Sequence, residues 1–381
     1  MQIIDSKARG RFRRNKSAMA GLAIVVLAAI FSLLCYAIAP DNSPSANEQI
    51  LELETHAPGF AITFLKVNKE RTINQNFLLG LIDGYEKQYK LQPINSYRFV
   101  NDSLEVEQYK GKQFEPENKR YAVANLLGMG TASLQMNEVF RKKVEDDLLV
   151  KKKFLLGTDK FGRDILSRLL IGTRISISVG LIAVLISLTI GVVLGALAGF
   201  FQGFTDKIIM WIINVFWSIP TLLLAMGLYI SAGSLIENKL VMIFIAVGLT
   251  MWVEVARIVR GQFLVIREME FVSAAKSLGF SDTRTIFLHI LPNITGPVIV
   301  VACANFANAI LVESGLSYIG LGIQPPAPSW GSMLNEYKDF IDSPNAYLAL
   351  FPGLAIMLLV LAFNLVGNGL RDALDVKGKI E

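Results

Sequence analysis

The side chains that most often carry out chemistry are scarce in this sequence. It has only two histidines, His56 and His289, which excludes an H-E-x-x-H motif and any site built from several histidines. No G-x-x-x-x-G-K-[ST] motif is present, so the chain lacks the backbone cradle and the lysine that hold nucleotide phosphates. It also lacks a G-x-S-x-G nucleophile elbow. We therefore predict a chain that is not an enzyme and that has no catalytic residue, metal or cofactor of its own.

Polar side chains inside long apolar stretches are the next candidates for function. Such groups are costly in lipid unless they face a helix-bundle interior or a water-filled path. Both interpretations stay open here, hydrogen bonding between helices being preferred to the lining of a path. The residues are Asn214, Asn305, Asn308, Glu313 and Asn364. A further set, Glu254, Arg257 and Arg260, has helical spacing and is interpreted as a structural ion cluster.

These residues lie in a chain that is too apolar for an ordinary soluble protein. Its mean hydropathy is +0.46, and 52% of its 381 residues are hydrophobic. A bilayer core takes about 20 apolar helical residues to cross. The sequence therefore predicts an all-α polytopic membrane protein with six transmembrane helices. The predicted spans are residues 18–39, 175–201, 208–230, 240–253, 294–312 and 347–366.

The distribution of basic residues predicts the orientation of these spans. Six lysines and arginines lie between residues 7 and 16, just before the first span, and basic residues near span ends stay cytoplasmic. Six spans then place the C-terminal tail, with Arg371, Lys377 and Lys379, inside as well. The long first apolar run favours an uncleaved anchor over a secretory signal. The adjacent span explains the basic residues, so nucleic acid is not expected as a partner.

Residues 41–156 differ sharply from the rest of the chain. They hold 32 of its 69 charged residues and predict an extracytoplasmic insert between helices 1 and 2. Residues 97–100 and 104–106 alternate around Asn101-Asp102, which predicts two strands and a turn. The spacing of apolar residues from Leu134 to Leu148 predicts a helix. The expected insert is a small α+β domain, and both a binding role and a plain elaborated loop stay open.

Two features accompany the predicted second span. Thr158 or Asp159 is expected to cap an amphipathic helix over residues 161–170 at the outer surface. Gly191, Gly195 and Gly199 recur every four residues on one helix face. Because small residues allow close approach of another helix, this face is predicted to pack helix against helix.

The loop at about 261–292, between the predicted fourth and fifth spans, has the most specific pattern. Residues 271–279 predict a short helix that Gly279 ends, since glycine adopts the left-handed conformation of a helix stop. Ala274 and Ala275 present almost no side chain, so a partner can approach their backbone. A second helix is expected to stop at Leu291-Pro292.

This loop resembles the EAA loop of ABC-importer permeases. Two alanines, three residues, Gly279 and nine residues precede x-x-Leu291-Pro292, and that spacing is intact. Residues 156–168, 289–293, 316–322, 328–331 and 369–375 are similar to the C-type subunit of the dipeptide/oligopeptide/nickel family. The resemblance implies a multi-pass protein of the bacterial inner membrane that imports peptides or related small solutes.

The resemblance also implies partners and site residues. The partners are a second permease of the B type, one or two P-loop ATPases that bind ATP and Mg, and an extracytoplasmic solute-binding protein. Composition and resemblance together predict three domains: residues 1–40, the insert 41–156, which is longer than the family pattern, and a permease domain at 157–381. The loop residues that would couple to the ATPases are Glu270, Ser273, Ala274, Ala275, Gly279, His289, Leu291 and Pro292.

The chain departs from the family pattern at three residues. Ser273 occupies the position of the loop glutamate, and Glu270, one helical turn earlier, is a hypothetical substitute. Trp211 and Asn214 stand where relatives usually have arginine and aspartate, so a charge pair is missing there. Two alternatives stay open: a secondary transporter, for which no inverted repeat is found, and a membrane-anchored receptor or assembly factor that acts through its outer insert.

Overall fold

The computed structural model describes residues 6–69, 77–111, 114–127, 138–232, 236 and 238–374. Leu134 of the predicted insert helix and Lys377 and Lys379 of the basic tail lie outside the described residues. The chain divides into two compact units. The helical unit comprises Met1–Leu33, Gly172–Asp339 and Ala349–Glu381, and the sheet unit comprises Leu34–Ile171 and Phe340–Leu348.

The secondary structure in chain order is as follows. The α-helices are α1 Ser6–Arg14, α2 Lys16–Ile38, α3 Phe77–Asp83, α4 Val123–Leu126, α5 Glu138–Leu148, α6 Ile165–Phe201, α7 Gly203–Trp217, α8 Thr221–Ala232, α9 Lys239–Ile266, α10 Glu270–Ser277, α11 Asp282–Arg284, α12 Thr295–Tyr318, α13 Trp330–Tyr337 and α14 Tyr347–Leu374. The strands are β1 Phe60–Asn68, β2 Tyr89–Val100, β3 Ser103–Gln108, β4 Glu117–Ala122 and β5 Leu149–Phe154.

Five helical segments of the described chain are long and apolar enough to cross a membrane: α2, α6, α9, α14 and the continuous stretch Asp282–Tyr318. The predicted third span, 208–230, is not one straight helix. It is the pair α7 and α8, bent by 93°. The break falls at Ser218–Pro220, because proline has no N–H to donate and disfavours the helical conformation of the preceding residue. The expected six spans are reached only if this bent pair counts as one.

The predicted amphipathic helix over 161–170 is wrong at its start. Asp159 folds the chain into a tight loop, its carboxylate accepting from the backbone N–H groups of Phe161 at 2.9 Å and Arg163 at 3.0 Å. Gly162 has a φ of +71° in that loop. The helix begins at Ile165 and continues into the second span as α6, with the Asp164 carboxylate accepting from the Ser167 N–H at 2.9 Å. Neither Thr158 nor Asp159 caps it.

The expected stop of the second loop helix at Leu291-Pro292 is also wrong. After α11, the chain continues as a π-helical turn over Thr285–Ile290 and a 3₁₀ turn over Leu291–Ile294, and α12 follows directly. Proline removes one helical hydrogen bond, and the wider turn before Pro292 absorbs the mismatch without ending the helix. The loop therefore leads without a break into a membrane-length helix.

The sheet unit is built on a five-stranded antiparallel sheet in the order β4-β3-β2-β1-β5. The predicted hairpin is confirmed: Val100 of β2 pairs with Ser103 of β3, and Asn101 takes a φ of +52°, which asparagine tolerates. The predicted insert helix corresponds to α5. Its Val144 and Leu148 are buried against apolar residues of the sheet, so strand and helix share one core.

The sheet unit also contains a cluster of charged residues whose side chains are mostly shielded from solvent. Lys87 Nζ lies 2.9 Å from Asp41 Oδ1 and also contacts Glu48, while Lys152 lies 3.6 Å from Glu48. Burial opposes the charge on Asp41, but the ion pair with Lys87 outweighs it and lowers the pKa of this carboxyl. Burial lowers the pKa of the Lys152 ammonium. Because each buried charge needs its partner, these residues form a cluster that tolerates little change.

Candidate functional site

A polar cavity of about 610 Å³ lies among the apolar helices of the helical unit. The end of α7, the start of α8 and the middle parts of α9 and α12 form its wall. The bend between α7 and α8 brings Trp217 and Thr221 to its rim. Its lining residues are Trp217, Thr221, Thr250, Met251, Val253, Glu254, Arg257, Ile258, Asn305, Asn308, Leu311 and Val312. A cavity with charged and amide groups between membrane-length helices fits a hydrated path for a polar solute.

Two of the five polar residues singled out from the sequence reach this cavity. Asn305 is buried and its Nδ2 donates to the backbone oxygen of Met251 at 3.3 Å, which ties α12 to α9. Asn308, almost one turn later, is exposed and lines the cavity. Asn305 therefore forms a hydrogen bond between helices at the cavity wall, and Asn308 is exposed to the cavity.

The other three lie elsewhere. Asn214 is exposed on α7. Asn364 is exposed on α14, where its Nδ2 donates to the Val360 oxygen of its own helix at 3.0 Å. Glu313 is fully buried and accepts from the Ser317 hydroxyl at 2.7 Å. The same hydroxyl accepts from the backbone N–H of Ile323 at 3.3 Å, so Glu313 helps to hold the segment after α12 in place.

A second cavity, of about 660 Å³, shares Glu254 and Ile258 with the first. It adds Gln262 of α9 and Asn368 and Arg371 of α14. Because the two cavities have lining residues in common, polar groups continue along α9 beyond the first cavity. The arrangement provides a run of polar groups toward the C-terminal end of α14.

An ion pair that the sequence did not predict lies beside these cavities. Arg260 pairs with Asp206 of α7 through two hydrogen bonds, Nε–Oδ1 at 2.5 Å and Nη2–Oδ2 at 2.7 Å. The predicted ion cluster of Glu254, Arg257 and Arg260 is therefore wrong for Arg260, whose partner is 54 residues away. The only sequence signal was an acidic residue in the first turn of an apolar helix.

The glycine face of α6 lies against α9. A Cβ atom on Gly191 would be 2.5 Å from Val255 Cβ, and one on Gly195 would be 2.5 Å from the Ala256 oxygen. On Gly199 it would be 2.5 Å from Phe263 Cβ. These contacts are shorter than real Cβ contacts, so only glycine permits this spacing of the two helices.

The loop with the alanine pair forms a compact helical hairpin. Gly279 has a φ of +78° and ends α10 with two bonds, Phe280 N to Ala275 O at 3.1 Å and Gly279 N to Lys276 O at 2.9 Å. This is the Schellman arrangement of a helix stop. Ala274 is exposed and Ala275 is buried, so only the first alanine is accessible to a partner.

Stacked side chains join the two halves of this hairpin. The Phe280 ring contacts Arg284, whose guanidinium carbon is 4.1 Å from the ring centroid, and stacks on His289, whose ring centroid is 5.5 Å away at an interplanar angle of 17°. Glu270 and Ser273 are exposed on α10. Leu291 and Pro292 lie in the 3₁₀ turn that leads into α12. The predicted loop residues thus belong to one surface element that continues into a membrane helix.

Known proteins match the chain over most of this architecture. Residues 191–377 match the family described as the binding-protein-dependent transport system inner membrane component. Residues 6–58 match the N-terminal TM domain of oligopeptide transport permease C. The glutathione transport system permease protein GsiD of Pectobacterium atrosepticum is 44% identical over 59% of this chain and 73% of its own length. The chain belongs to this family of ABC-importer permeases.

A second relative agrees with this assignment. The dipeptide transport system permease protein DppC of Alkalihalophilus pseudofirmus is 44% identical over 58% of this chain and 72% of its own length. A solved inward-facing structure of the MetNI methionine ABC transporter has a TM-score of 0.46 and 14% identity over 55% of this chain and 96% of that chain. As a family member, this permease is a multi-pass, non-catalytic subunit of an ATP-driven importer. The matches support neither the secondary transporter nor the receptor.

Proposed function

We propose that this permease forms one side of the translocation path for peptides or related small solutes. The polar cavity between α7, α8, α9 and α12 carries the proposal, because charged and amide groups there meet a volume of about 610 Å³ inside apolar helices. The names of relatives, which transport glutathione and dipeptides, support peptides as the solute class. Asn308, Glu254 and Arg257 line the path in this proposal.

The orientation follows from the basic residues near the span ends. Both termini lie in the cytoplasm, and residues 41–156 form the extracytoplasmic insert between the first two membrane helices. The loop at about 261–292 then lies in the cytoplasm. Its location supports contact with ATPase subunits, and the insert is placed to meet a solute-binding protein.

The permease works with partners that supply the energy. A second permease of the B type completes the path, and one or two P-loop ATPases hold ATP and Mg, since this sequence has no P-loop. Nucleotide binding shifts the equilibrium between outward-open and inward-open states only if one state binds it better. The hairpin from α10 to Leu291–Ile294 transmits that difference, because it is continuous with α12, which lines the cavity.

Purification of the tagged chain in mild detergent tests this assembly. We expect mass spectrometry to identify a second multi-span permease and one or two P-loop ATPases in near-stoichiometric amounts. The assembled complex is expected to hydrolyse ATP, and the isolated chain is not. A chain that purifies alone, stable and without ATPases, contradicts the proposal.

A smaller effect is expected at the position that departs from the family pattern. Glu270 is exposed at the first residue of α10, on the turn before Ser273. If its carboxylate replaces the missing loop glutamate, Glu270→Ala lowers transport-coupled ATPase activity by about fivefold, the loss of one exposed charge-assisted contact of about 1 kcal/mol. Ser273→Glu in the same background is expected to restore it. Unchanged coupling in Glu270→Ala shows that Glu270 has no such role.

A further inference from the structure

One cation that lines the cavity, Arg257, forms no salt bridge with any described residue. Arg257 is half-buried on α9, lines the cavity, and makes no ion pair within the part of the chain that the structure describes. Its Nη1 is shielded from solvent and has no hydrogen-bond acceptor among the described residues. Arg260, nearly one turn further along the same helix, is instead paired bidentately with Asp206. Arg260 thus already has a carboxylate partner, whereas Arg257 still needs a hydrogen-bond acceptor.

An aromatic ring fixes the position of the Arg257 guanidinium. Its central carbon lies 3.4 Å from the centroid of the Trp217 ring, a cation–π contact. The contact compensates part of the cost of a charge inside a membrane but supplies no acceptor for the N–H groups. Because the guanidinium is planar and always charged, it is suited to bind a carboxylate through two parallel hydrogen bonds.

The rest of the cavity fits a small zwitterion better than a simple anion. Glu254 lies nearly one turn before Arg257 and offers negative charge, and Asn308 of α12 offers an amide. Met251 and Leu311 add apolar surface. The volume lies within the range of about 300–1,000 Å³ typical of small-molecule sites.

We propose that Arg257 is a specificity-determining residue of the path and receives the carboxylate of the passing solute. The inference rests on the proposed function, since it takes peptides as the solutes. It predicts that the permease itself, and not only the solute-binding protein, discriminates for a free carboxylate. An acidic side chain of the second permease is the competing source of a carboxylate.

The test uses the complete transporter in proteoliposomes with its solute-binding protein. The probes are alanyl-phenylalanine and glutathione, each compared with its C-terminal amide, at concentrations that saturate the binding protein. Rates for Arg257→Gln and Arg257→Lys are divided by the wild-type rate for the same probe, which cancels the preference of the binding protein. Arg13→Gln is the matched control, because Arg13 is exposed on α1 and lines neither cavity.

We expect Arg257→Gln to lower uptake of the free acids by about tenfold, equivalent to about 1.4 kcal/mol. Uptake of the amides by Arg257→Gln is expected to stay within about twofold of the wild-type rate. The amides have no carboxylate to pair with Arg257, so they do not lose the charge pair that causes the tenfold effect. Arg257→Lys is expected to fall between wild type and Arg257→Gln for the acids, since it keeps the charge and loses the planar fork. Recovery of the complete complex is measured for every variant.

If the wild-type transporter does not import the amide probes, a double variant provides the test instead. Arg257→Gln with Asn308→Arg moves the cation from α9 to α12 in the same cavity and is expected to regain uptake of the acids. Absence of that recovery overturns the role of Arg257. This recovery is not expected if Arg257 only stabilises the fold and does not bind the solute.

The remaining outcomes separate the two proposals. Equal loss for acid and amide, or no loss for the acid, overturns the role of Arg257 while leaving peptide import in place. Equal loss together with poor recovery of the second permease assigns Arg257 to pairing with that subunit. A wild-type complex that imports none of the four probes refutes peptide import, and the role of Arg257 falls with it.

Discussion

Gly195→Val is expected to destabilise the transporter more than any single exposed substitution. A Cβ at this position would lie 2.5 Å from the backbone oxygen of Ala256 and 2.8 Å from Val259 Cβ. Neither neighbour is the flexible end of a side chain, so α6 and α9 must move apart. Overpacking of this kind typically costs about 1–3 kcal/mol. Thermal unfolding of the helical unit in the purified complex is expected to shift down by about 5 °C, since 1 kcal/mol corresponds to about 2–4 °C for a unit of about 150–250 residues.

Gly227→Val is the matched control for this prediction. Gly227 lies on α8, and a Cβ there has no atom within 4 Å. The same change in volume and in helix propensity is therefore made at a position with open space. We expect its unfolding temperature to stay within about 1 °C of wild type, because exposed substitutions usually change stability by less than about 0.5 kcal/mol. Equal losses at Gly195 and Gly227 would show that the glycine face does not set the spacing of these helices.

Local patterns in the sequence predicted the elements whose structure depends on neighbours along the chain. The hairpin around Asn101 follows from alternation and a turn residue that tolerates positive φ, and the end of α10 follows from Gly279. Both features are decided within about ten residues. Apolar length likewise identifies the five membrane-length helical segments of the described chain, although it does not separate the bent pair α7 and α8.

One missed feature joins residues far apart in the chain, and two are local features that hydropathy and helix-cap preferences do not register. The Asp206–Arg260 pair joins two helices, and nothing local indicates that these side chains meet. Asp159 accepts from Arg163 as well as from the loop N–H groups, so it shapes a loop where the sequence suggested a helix cap. Pro220 was inside an unbroken apolar run, and hydropathy does not register the bend it causes.

The candidate site was predicted in part for the same reason. The loop residues follow a fixed spacing, and the sequence was sufficient to locate them. The cavity is assembled from four helices, so composition identified Asn305 and Asn308 as unusual but could not show that Asn305 is buried and bonded to α9 while Asn308 is exposed. Arg257 and Trp217, which lie 40 residues apart, come together only because the bent pair returns to α9.

Gly279→Val is expected to separate ATP hydrolysis from transport. The φ of +78° at this position favours glycine, and a left-handed conformation costs other residues about 1–2 kcal/mol and β-branched ones more. No atom lies within 4 Å of an added Cβ, so the effect comes from the backbone and not from a clash. Relief of the strain moves Phe280 and with it the stack on Arg284 and His289.

Because the stack joins α10 to the segment that enters α12, its loss breaks the connection between the ATPase contact and the cavity wall. We expect solute-stimulated ATPase activity and uptake to fall by at least about tenfold, about 1.4 kcal/mol of lost coupling, while the subunits still co-purify. Gly279→Asn is expected to retain most coupling, since asparagine tolerates this conformation. Gly227→Val controls for the same change at an ordinary φ. Wild-type uptake by Gly279→Val refutes the coupling role of this loop, because that role requires the left-handed turn at residue 279.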